Sequence, residues 1–171
     1  EQITPEILKD EKWKKKIFRR YDVKSPVPAI LGGKRHFVNQ AVDYIKSIWH
    51  ELGFNEMEGN FVQTAFWDLD ALFVPQDHPA RQMQDTFYIK DPKKGKLPDI
   101  SKEIAKVHID GGNTNSKGWG SYDEEIAKEN LLRTHTTVLS ARTLSNLKKE
   151  DLPAKFCAVG KVFRNEALDW K

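Results

Sequence analysis

The sequence has a single cysteine and no long apolar segment, and each shortage excludes classes of protein. Cys157 is the one cysteine among 171 residues, which excludes an internal disulfide framework and a thiolate zinc site, because both need several cysteines. No run approaches the roughly 18 apolar residues of a membrane span. The first twenty residues are charged and do not form a secretory signal. These features predict a protein of a reducing, cytoplasmic compartment without a membrane partner.

Several familiar nucleotide-binding and catalytic motifs are also missing. The sequence contains no Gly-x-Gly-x-x-Gly, no P-loop and no Gly-x-Ser-x-Gly, so nucleotide binding by those loops is excluded. Asp77 and His78 are adjacent and do not have the i, i+4 spacing of a helical metal pair. We therefore predict no metal site.

The amino-acid composition is typical of a single globular domain. Apolar residues make up 39% and charged residues 31%, and 171 residues are enough for a hydrophobic core. The net charge of +3 does not by itself indicate nucleic-acid binding. Residues 9–20 hold seven basic residues, which fit either a solvated helix face or a contact to RNA. The start at Glu1 without methionine and the end at Lys171 behind a strand-like run predict a piece of a longer protein.

Hydrophobic spacing predicts helices and short strands along the chain. Thr4 and Pro5 fit the start of a helix through the basic segment. Apolar residues recur at three and four over residues 35–52, which predicts an amphipathic helix ended by Gly53 and followed by a strand over 54–61. Residues 91–99 predict an exposed loop. Helical spacing returns over 100–108 and ends at Gly111.

The second half of the chain predicts one more helix and a final strand. Ser121 and Glu124 form a capping-box pattern before a predicted helix that carries Ile126, Leu131 and Leu132. Residues 156–166 alternate as a strand. Because helices and strands do not alternate strictly, the pattern favours an α+β domain over a doubly wound parallel sheet.

The final strand carries two side chains suited to chemistry. Alternation places Arg164 and Glu166 on one face, beyond the small residues Ala158 and Gly160. A guanidinium can hold a phosphate or carboxylate by two parallel hydrogen bonds, and a nearby carboxylate can accept from an amine. The same pair also fits an ion pair on a solvent-facing strand, so the pattern leaves both interpretations open.

A second group lies in residues 131–137. An extended backbone would aim Arg133, His135 and Thr137 to one side, where an imidazole flanked by hydroxyls can bind an anionic oxygen. A hydrogen-bonded structural histidine fits the same pattern.

Taken in order, these segments resemble the α subunits of phenylalanyl-tRNA synthetases of the archaeal and eukaryotic type. The resemblance covers nearly the whole chain. The matching segments are residues 21–28, 34–36, 65–73, 75–81, 84–88, 118–120, 132–137 and 162–166, the last being Val-Phe-Arg-Asn-Glu.

The resemblance implies an α+β, class II aminoacyl-tRNA synthetase-like fold, an antiparallel sheet flanked by helices. Residues 1–34 would form a basic helical lead-in and linker, and residues 35–171 a partial catalytic domain. Within it, residues 35–61 look like motif 1, which builds the subunit interface, and residues 156–171 look like the start of motif 2. The glycine- and arginine-containing motif 3 is absent from the sequence, as are the rest of motif 2 and the aromatic residues that recognise phenylalanine. The fold would therefore be incomplete.

The resemblance also implies roles for individual residues. Arg164 would be the catalytic motif 2 arginine that grips the ATP α-phosphate and the amino-acid carboxylate. Glu166 would hold the adenine side or the substrate ammonium, while His135 and Thr137 fall where the family contacts substrate. Tyr88 would lie near the amino-acid site.

The expected reaction joins phenylalanine to ATP and transfers it to tRNA(Phe), with ATP and Mg2+ as substrate and counter-ion and no permanently bound cofactor. A β subunit in an α2β2 assembly is the expected partner. The 171-residue stretch by itself is expected to be inactive. Two alternative functions stay open: a related class II enzyme such as phosphoseryl-tRNA synthetase, and a non-catalytic synthetase-like binding protein. Asn60 follows Gly59 where many class II enzymes have a proline, which leaves the interface contact there open.

Overall fold

The computed structural model describes residues 4–17, 22, 24–27, 29, 32–81 and 86–166. Residues 18–20 of the basic segment, part of the 21–28 and 84–88 motifs, and residues 167–171 of the motif 2 segment lie outside this part. The chain divides into two compact units, Glu1–Arg35 and His36–Lys171. Their boundary falls one residue beyond the end of the lead-in named above.

The first unit contains two short helical pieces. Helix α1, Pro5–Lys9, has Thr4 as its N-cap residue and a proline in its first turn, as the sequence predicts. It does not continue through the basic segment, because Glu11 adopts a left-handed conformation with φ 54° before a 3-10 helix, Lys12–Lys15. A left-handed residue cannot continue an α-helix, so the predicted single helix is interrupted.

The second unit opens with the long amphipathic helix that the spacing predicts. Helix α2, Phe37–Glu51, has His36 as its N-cap residue, whose side chain accepts a hydrogen bond from Val38 N. Gly53 follows with φ 80°, a conformation that glycine adopts without steric cost. The strand β1, Asn55–Glu56, comes next. It is much shorter than the predicted 54–61 strand, because its pairing with β4 ends at Met57, whose N donates to Cys157 O at 2.8 Å.

Two small sheets replace the continuous antiparallel sheet that was expected. Strand β2, Val62–Thr64, pairs antiparallel with β3, Asn130–Leu132. Strand β1 pairs in parallel with β4, Phe156–Cys157. Isolated bridges add Tyr88 to Leu131 and Lys94 to Glu129. The antiparallel expectation therefore holds for the β2–β3 pair and is wrong for the β1–β4 pair.

The core lies where the short helix α3, Ala65–Asp68, passes behind β2 and β3. Phe66 and Trp67 contact edge to face at 5.1 Å between ring centroids. Their partners come from helices α5, Glu124–Ala127, and α6, Thr137–Asn146. The buried cluster consists of Phe66, Trp67, Ala127, Val138 and Leu139. Helix α4, Ser101–Asp110, lies at its edge and ends at Gly111 with φ 85°, as predicted. The remaining 3-10 helices are Asp70–Leu72, Pro79–Arg81 and Lys149–Asp151.

Two predictions for the second half are wrong. Asp123, not Ser121, caps helix α5 by accepting from Glu125 N, and the helix ends at Ala127. Leu131 and Leu132 therefore lie in β3. The predicted 156–166 strand shrinks to Phe156–Cys157, although Phe163 N still donates to Arg133 O at 3.0 Å. In each place a tertiary partner determined the backbone conformation and overrode the local pattern.

Candidate active site

An open cavity of about 490 Å3 lies at the surface of the second unit, between two walls of different chemistry. One wall is a loop that follows the Asp70–Leu72 3-10 helix and is mostly apolar. The other wall brings polar side chains from the segment after β3 and from the segment after β4. The lining residues are Leu69, Phe73, Val74, Pro75, His78 and Ala80 on the first wall, and Thr134, His135 and Arg164 on the second.

A buried carboxylate fixes the polar wall. Asp68 is fully buried and accepts from Thr134 Oγ1 at 2.8 Å and from Thr134 N at 3.3 Å. Burial raises the pKa of Asp68, while the hydrogen bonds from Thr134 and the nearby His135 oppose that rise. The carboxylate thus ties the turn after β3 to helix α3, which sets the position of His135 within the cavity wall.

His135 keeps an unsatisfied polar atom at this wall. Its Nδ1 is buried and has no hydrogen-bond partner within the described residues. Buried polar atoms in proteins are nearly always paired, and an exception calls for a functional or solvent explanation. The atom is therefore a candidate for contact with a bound molecule.

Arg164 supplies the positive charge of the cavity. Its Nη1 lies 3.2 Å from Glu166 Oε1, and the two side chains remain 66% and 58% exposed. The two residues are thus on the same side, as the alternation predicts, but their backbone is not in a strand. A guanidinium this exposed is free to exchange its carboxylate partner for an incoming phosphate or carboxylate.

Arg133 does not belong to this wall, although the extended pattern aimed it there with His135. It is 3% exposed, and its Nε donates to Lys161 O at 2.8 Å. A β-carbon added at Gly160 would lie 2.4 Å from Arg133 Nη2. The space that small residues leave after β4 is therefore filled by Arg133, which fastens the segments around β3 and Lys161 together.

The apolar wall is braced from inside the protein. Arg81 Nη2 lies 2.5 Å from Asp70 Oδ1, and Arg81 Nε donates to Pro75 O at 2.7 Å. Asp70 also accepts from the Tyr122 hydroxyl at 2.9 Å, and burial with the nearby Asp70 charge raises the pKa of Tyr122. Phe73 adopts φ 60° at the start of the loop, an uncommon conformation for a bulky residue that tends to occur at functional sites.

Two of the predicted substrate contacts line other cavities. Tyr88 lines another cavity of about 600 Å3, and its hydroxyl donates to Arg81 O at 2.8 Å. Burial raises the pKa of that hydroxyl. Thr137 is the first residue of helix α6 and lines an apolar cavity of about 320 Å3 against Phe66 and Ile104. The structure brings together His135 and Arg164, with Glu166 beside the arginine. The roles of all five residues stay predictions.

The sequence did not single out Thr134 and His78 as members of this site. Thr134 lies next to Arg133 in the 131–137 segment. His78 lies in the proline-bracketed loop over 75–81, where its position next to Asp77 bears only on metal binding. Among the described residues, no group of three histidine, cysteine, aspartate or glutamate side chains could hold a metal ion. No helix in that same part of the chain has the length and apolar character to cross a membrane.

Comparison with known proteins defines the class to which this fold and cavity belong. Residues 20–171 match the family of tRNA synthetases class II core domain (F), and the chain is a member of that family. Among curated proteins it is similar to subunits named phenylalanine–tRNA ligase alpha subunit. That of Methanopyrus kandleri is 45% identical over 173 residues, 99% of this chain and 33% of the relative. That of Methanothermobacter thermautotrophicus is 43% identical with the same coverage, and that of Thermoplasma acidophilum is 42% identical with 99% and 34% covered.

The chain spans about a third of the length of these curated relatives. The resemblance seen in the sequence motifs is thereby confirmed at the level of the family and its named relatives.

Proposed function

We propose that this chain is the part of a phenylalanine–tRNA ligase α subunit that binds the reacting ends of phenylalanine and ATP. The proposal extends to the activity of the whole enzyme, which forms phenylalanyl-adenylate and transfers the amino acid to tRNA(Phe). It is supported by the family match over residues 20–171 and by relatives that carry this name. The observation that carries it is that Arg164 and His135 line one cavity, where the Nδ1 atom of His135 has no hydrogen-bond partner among the described residues.

The chemistry requires stabilisation of negative charge. When a carboxylate attacks the ATP α-phosphate, charge builds on the phosphoryl oxygens, and a preorganised cation lowers the energy of that arrangement. Arg164 is the cation that lines the cavity among the described residues. We assign it the catalytic role and assign His135 to an oxygen of the bound substrate.

Glu166 has a second role in the same proposal. Its carboxylate pairs with Arg164 before substrate is bound. When a phosphate of ATP binds to Arg164 in its place, the Glu166 carboxylate can accept from a substrate amine or from the adenine amino group. Thr137 and Tyr88 remain proposed substrate contacts. Since they line other cavities, their roles require a rearrangement of the walls or a pocket completed by other parts of the enzyme.

The donors around the cavity fit an anion better than a bare metal ion. Arg164 offers a guanidinium and His135 an imidazole to the cavity, whereas Mg2+ prefers carboxylate, phosphate and water oxygens. Mg2+ would accompany ATP as the counter-ion of its phosphates, where it neutralises charge. Arg164 and His135 would then orient the phosphate oxygens themselves.

The partners follow from the same proposal. Helix α2 and its C-cap residue Leu52 expose an apolar stripe, in which Tyr44 is 69% and Leu52 54% exposed. We assign this stripe to a subunit interface of an assembly with a β subunit, with α2β2 as its proposed form. The acceptor tRNA and a cytoplasmic location belong to this proposal because the product serves protein synthesis.

The test uses the full-length α subunit with its β subunit and follows ATP–pyrophosphate exchange. Exchange that depends on phenylalanine and not on O-phosphoserine supports the proposal. Exchange with O-phosphoserine alone would assign the phosphoseryl enzyme instead, and tRNA binding without exchange would assign a non-catalytic protein. We expect the 171-residue stretch alone to charge no tRNA, because positioning both reactants requires the motif 3 and aromatic residues that this sequence does not contain.

A further inference from the structure

The apolar wall of the cavity carries one polar side chain that the proposed function does not use. His78 lies in the loop over residues 75–81, lines the cavity with His135 and Arg164, and is itself exposed. Its Nδ1 is engaged by the backbone, because Ala80 N lies 3.1 Å away. A backbone N–H can only donate, so Nδ1 must be the acceptor of this hydrogen bond.

This hydrogen bond determines which nitrogen faces a ligand. With Nδ1 acting as acceptor, the neutral imidazole carries its proton on Nε2. Within the described part of the chain, the ring is hydrogen-bonded through Nδ1, which leaves Nε2 to solvent or a ligand. His78 therefore presents a donor on the side of its ring away from the loop backbone.

The loop that holds His78 is fixed more strongly than an ordinary surface loop. Arg81 donates from Nε to Pro75 O at 2.7 Å and from Nη2 to Val74 O, and it is anchored by the buried Asp70. At the loop's other side, Gln76 exchanges two hydrogen bonds with the Asp123 backbone, at 2.9 and 2.7 Å. A buried ion pair is weak support for stability as such, whereas binding sites need their side chains held by a supporting shell.

From these contacts we infer that His78 is a further binding residue of the cavity, donating Nε2–H to an anionic oxygen of the substrate opposite Arg164. The ligand chemistry is an oxyanion, either a phosphate oxygen of ATP or the carboxylate of the amino acid. The inference rests on the proposed function for the identity of the two substrates. The assignment of a donor to the apolar wall rests only on the geometry of the loop.

The choice of substitution separates binding from loop structure. In His78→Asn, the side-chain oxygen can accept from the N–H two residues on, as asparagine does in Asx turns, so the Ala80 contact is kept and the Nε2 donor is lost. In His78→Gln, the longer side chain keeps an N–H near the position of Nε2 and loses the Ala80 contact. His78→Ala removes both.

The experiment measures the dissociation constants of ATP and of phenylalanine separately, by calorimetry on the full-length α subunit with its β subunit. We expect His78→Asn and His78→Ala to raise the dissociation constant of one of the two ligands about tenfold or more, which is the size of a lost hydrogen bond to a charged group. His78→Gln should recover most of that loss. The affected ligand identifies the source of the oxyanion.

Two outcomes would overturn the inference. If His78→Asn binds both ligands within about twofold of the unmodified enzyme, the ring serves only to hold the Ala80 turn. If His78→Gln is as impaired as His78→Ala while both unfold at the same temperature as the unmodified enzyme, a donor at Nε2 is not what the site requires. Failure of the proposed function is a separate result, because it appears as the absence of phenylalanine-dependent exchange in the unmodified enzyme.

Discussion

Arg81 and Asp70 form an ion pair that is almost wholly removed from solvent, with Arg81 Nη2 at 2.5 Å from Asp70 Oδ1 and with 5% and 0% of their side chains exposed. Arg81 also donates to the carbonyl groups of Val74 and Pro75. The pair therefore connects the core segment that follows α3 to the loop that forms the apolar wall of the cavity.

We expect Asp70→Asn to lower the free energy of unfolding by about 3–5 kcal/mol, because it leaves the Arg81 charge buried without its anion. Urea unfolding of the chain, followed by tryptophan fluorescence, measures the change. The control is Glu150→Gln, which makes the same carboxylate-to-amide change in the exposed pair with Lys148 and should cost less than about 1 kcal/mol. Equal losses in the two variants would contradict a structural role for the buried pair.

Asp68 predicts a pH dependence of stability. Its pKa in the folded protein is raised above the ordinary value of 3.8, first by burial, so the unfolded chain releases the proton at lower pH than the folded chain. By linkage, the contribution of Asp68 to stability is fully present below the ordinary pKa and is lost as pH rises toward the raised pKa. Asp68→Asn should therefore gain stability relative to the unmodified protein between pH 4 and pH 7.

Thr134→Val offers a second measurement of the same linkage. It removes the hydroxyl that donates to Asp68 at 2.8 Å and so removes a contact that favours the ionised carboxylate. The loss of stability with rising pH should extend to higher pH and become larger in total in this variant. A stability difference between Asp68→Asn and the unmodified protein that stays constant from pH 4 to pH 7 would show that the carboxylate keeps its ordinary pKa in the fold.

For the complete enzyme with its β subunit, we expect Arg164→Ala to slow phenylalanine-dependent pyrophosphate exchange about 100- to 1000-fold. Substrate affinity should fall less, since the charge on the phosphoryl oxygens develops during the reaction. Arg142→Ala is the control, because Arg142 stacks on Trp67 at 5.2 Å and is not part of the cavity lining. An exchange rate within about threefold of the unmodified enzyme would leave Arg164 only its exposed ion pair with Glu166.

The exposed stripe of α2 predicts an effect on assembly. Ile48 is 40% exposed beside Tyr44 and Ile45, and a charge at the centre of a subunit interface opposes its burial. Ile48→Glu should reduce the molar mass of the complete enzyme in light scattering after size-exclusion chromatography. Asn39→Glu introduces the same charge about half a turn away around the helix and should leave the molar mass unchanged. An intact assembly in Ile48→Glu would place the interface elsewhere.

Much of the local structure and the family could be predicted from the sequence because the signals are local or specific. The three-and-four spacing over residues 35–52 and the glycine that follows it predict α2 to within two residues. The end of α4 at Gly111 follows from the left-handed conformation that glycine favours. The ordered motifs, ending in Phe-Arg-Asn-Glu at residues 163–166, predict the family that the comparison confirmed.

Tertiary structure decided what local patterns leave open. Leu131 and Leu132 fit a helix by spacing, but pairing with Val62 and Gln63 made them a strand, because backbone hydrogen bonds between distant segments override weak local propensity. The alternation of residues beyond Cys157 predicts that the strand continues. In the part of the chain that the structure describes, this segment does not pair with another strand, and Lys161 O instead accepts a hydrogen bond from the Arg133 guanidinium. The cavity itself depends on two aspartates two residues apart. Asp68 holds the wall with His135 and Asp70 holds the wall with His78, and only the folded chain brings these segments, more than 50 residues apart in sequence, together across one site.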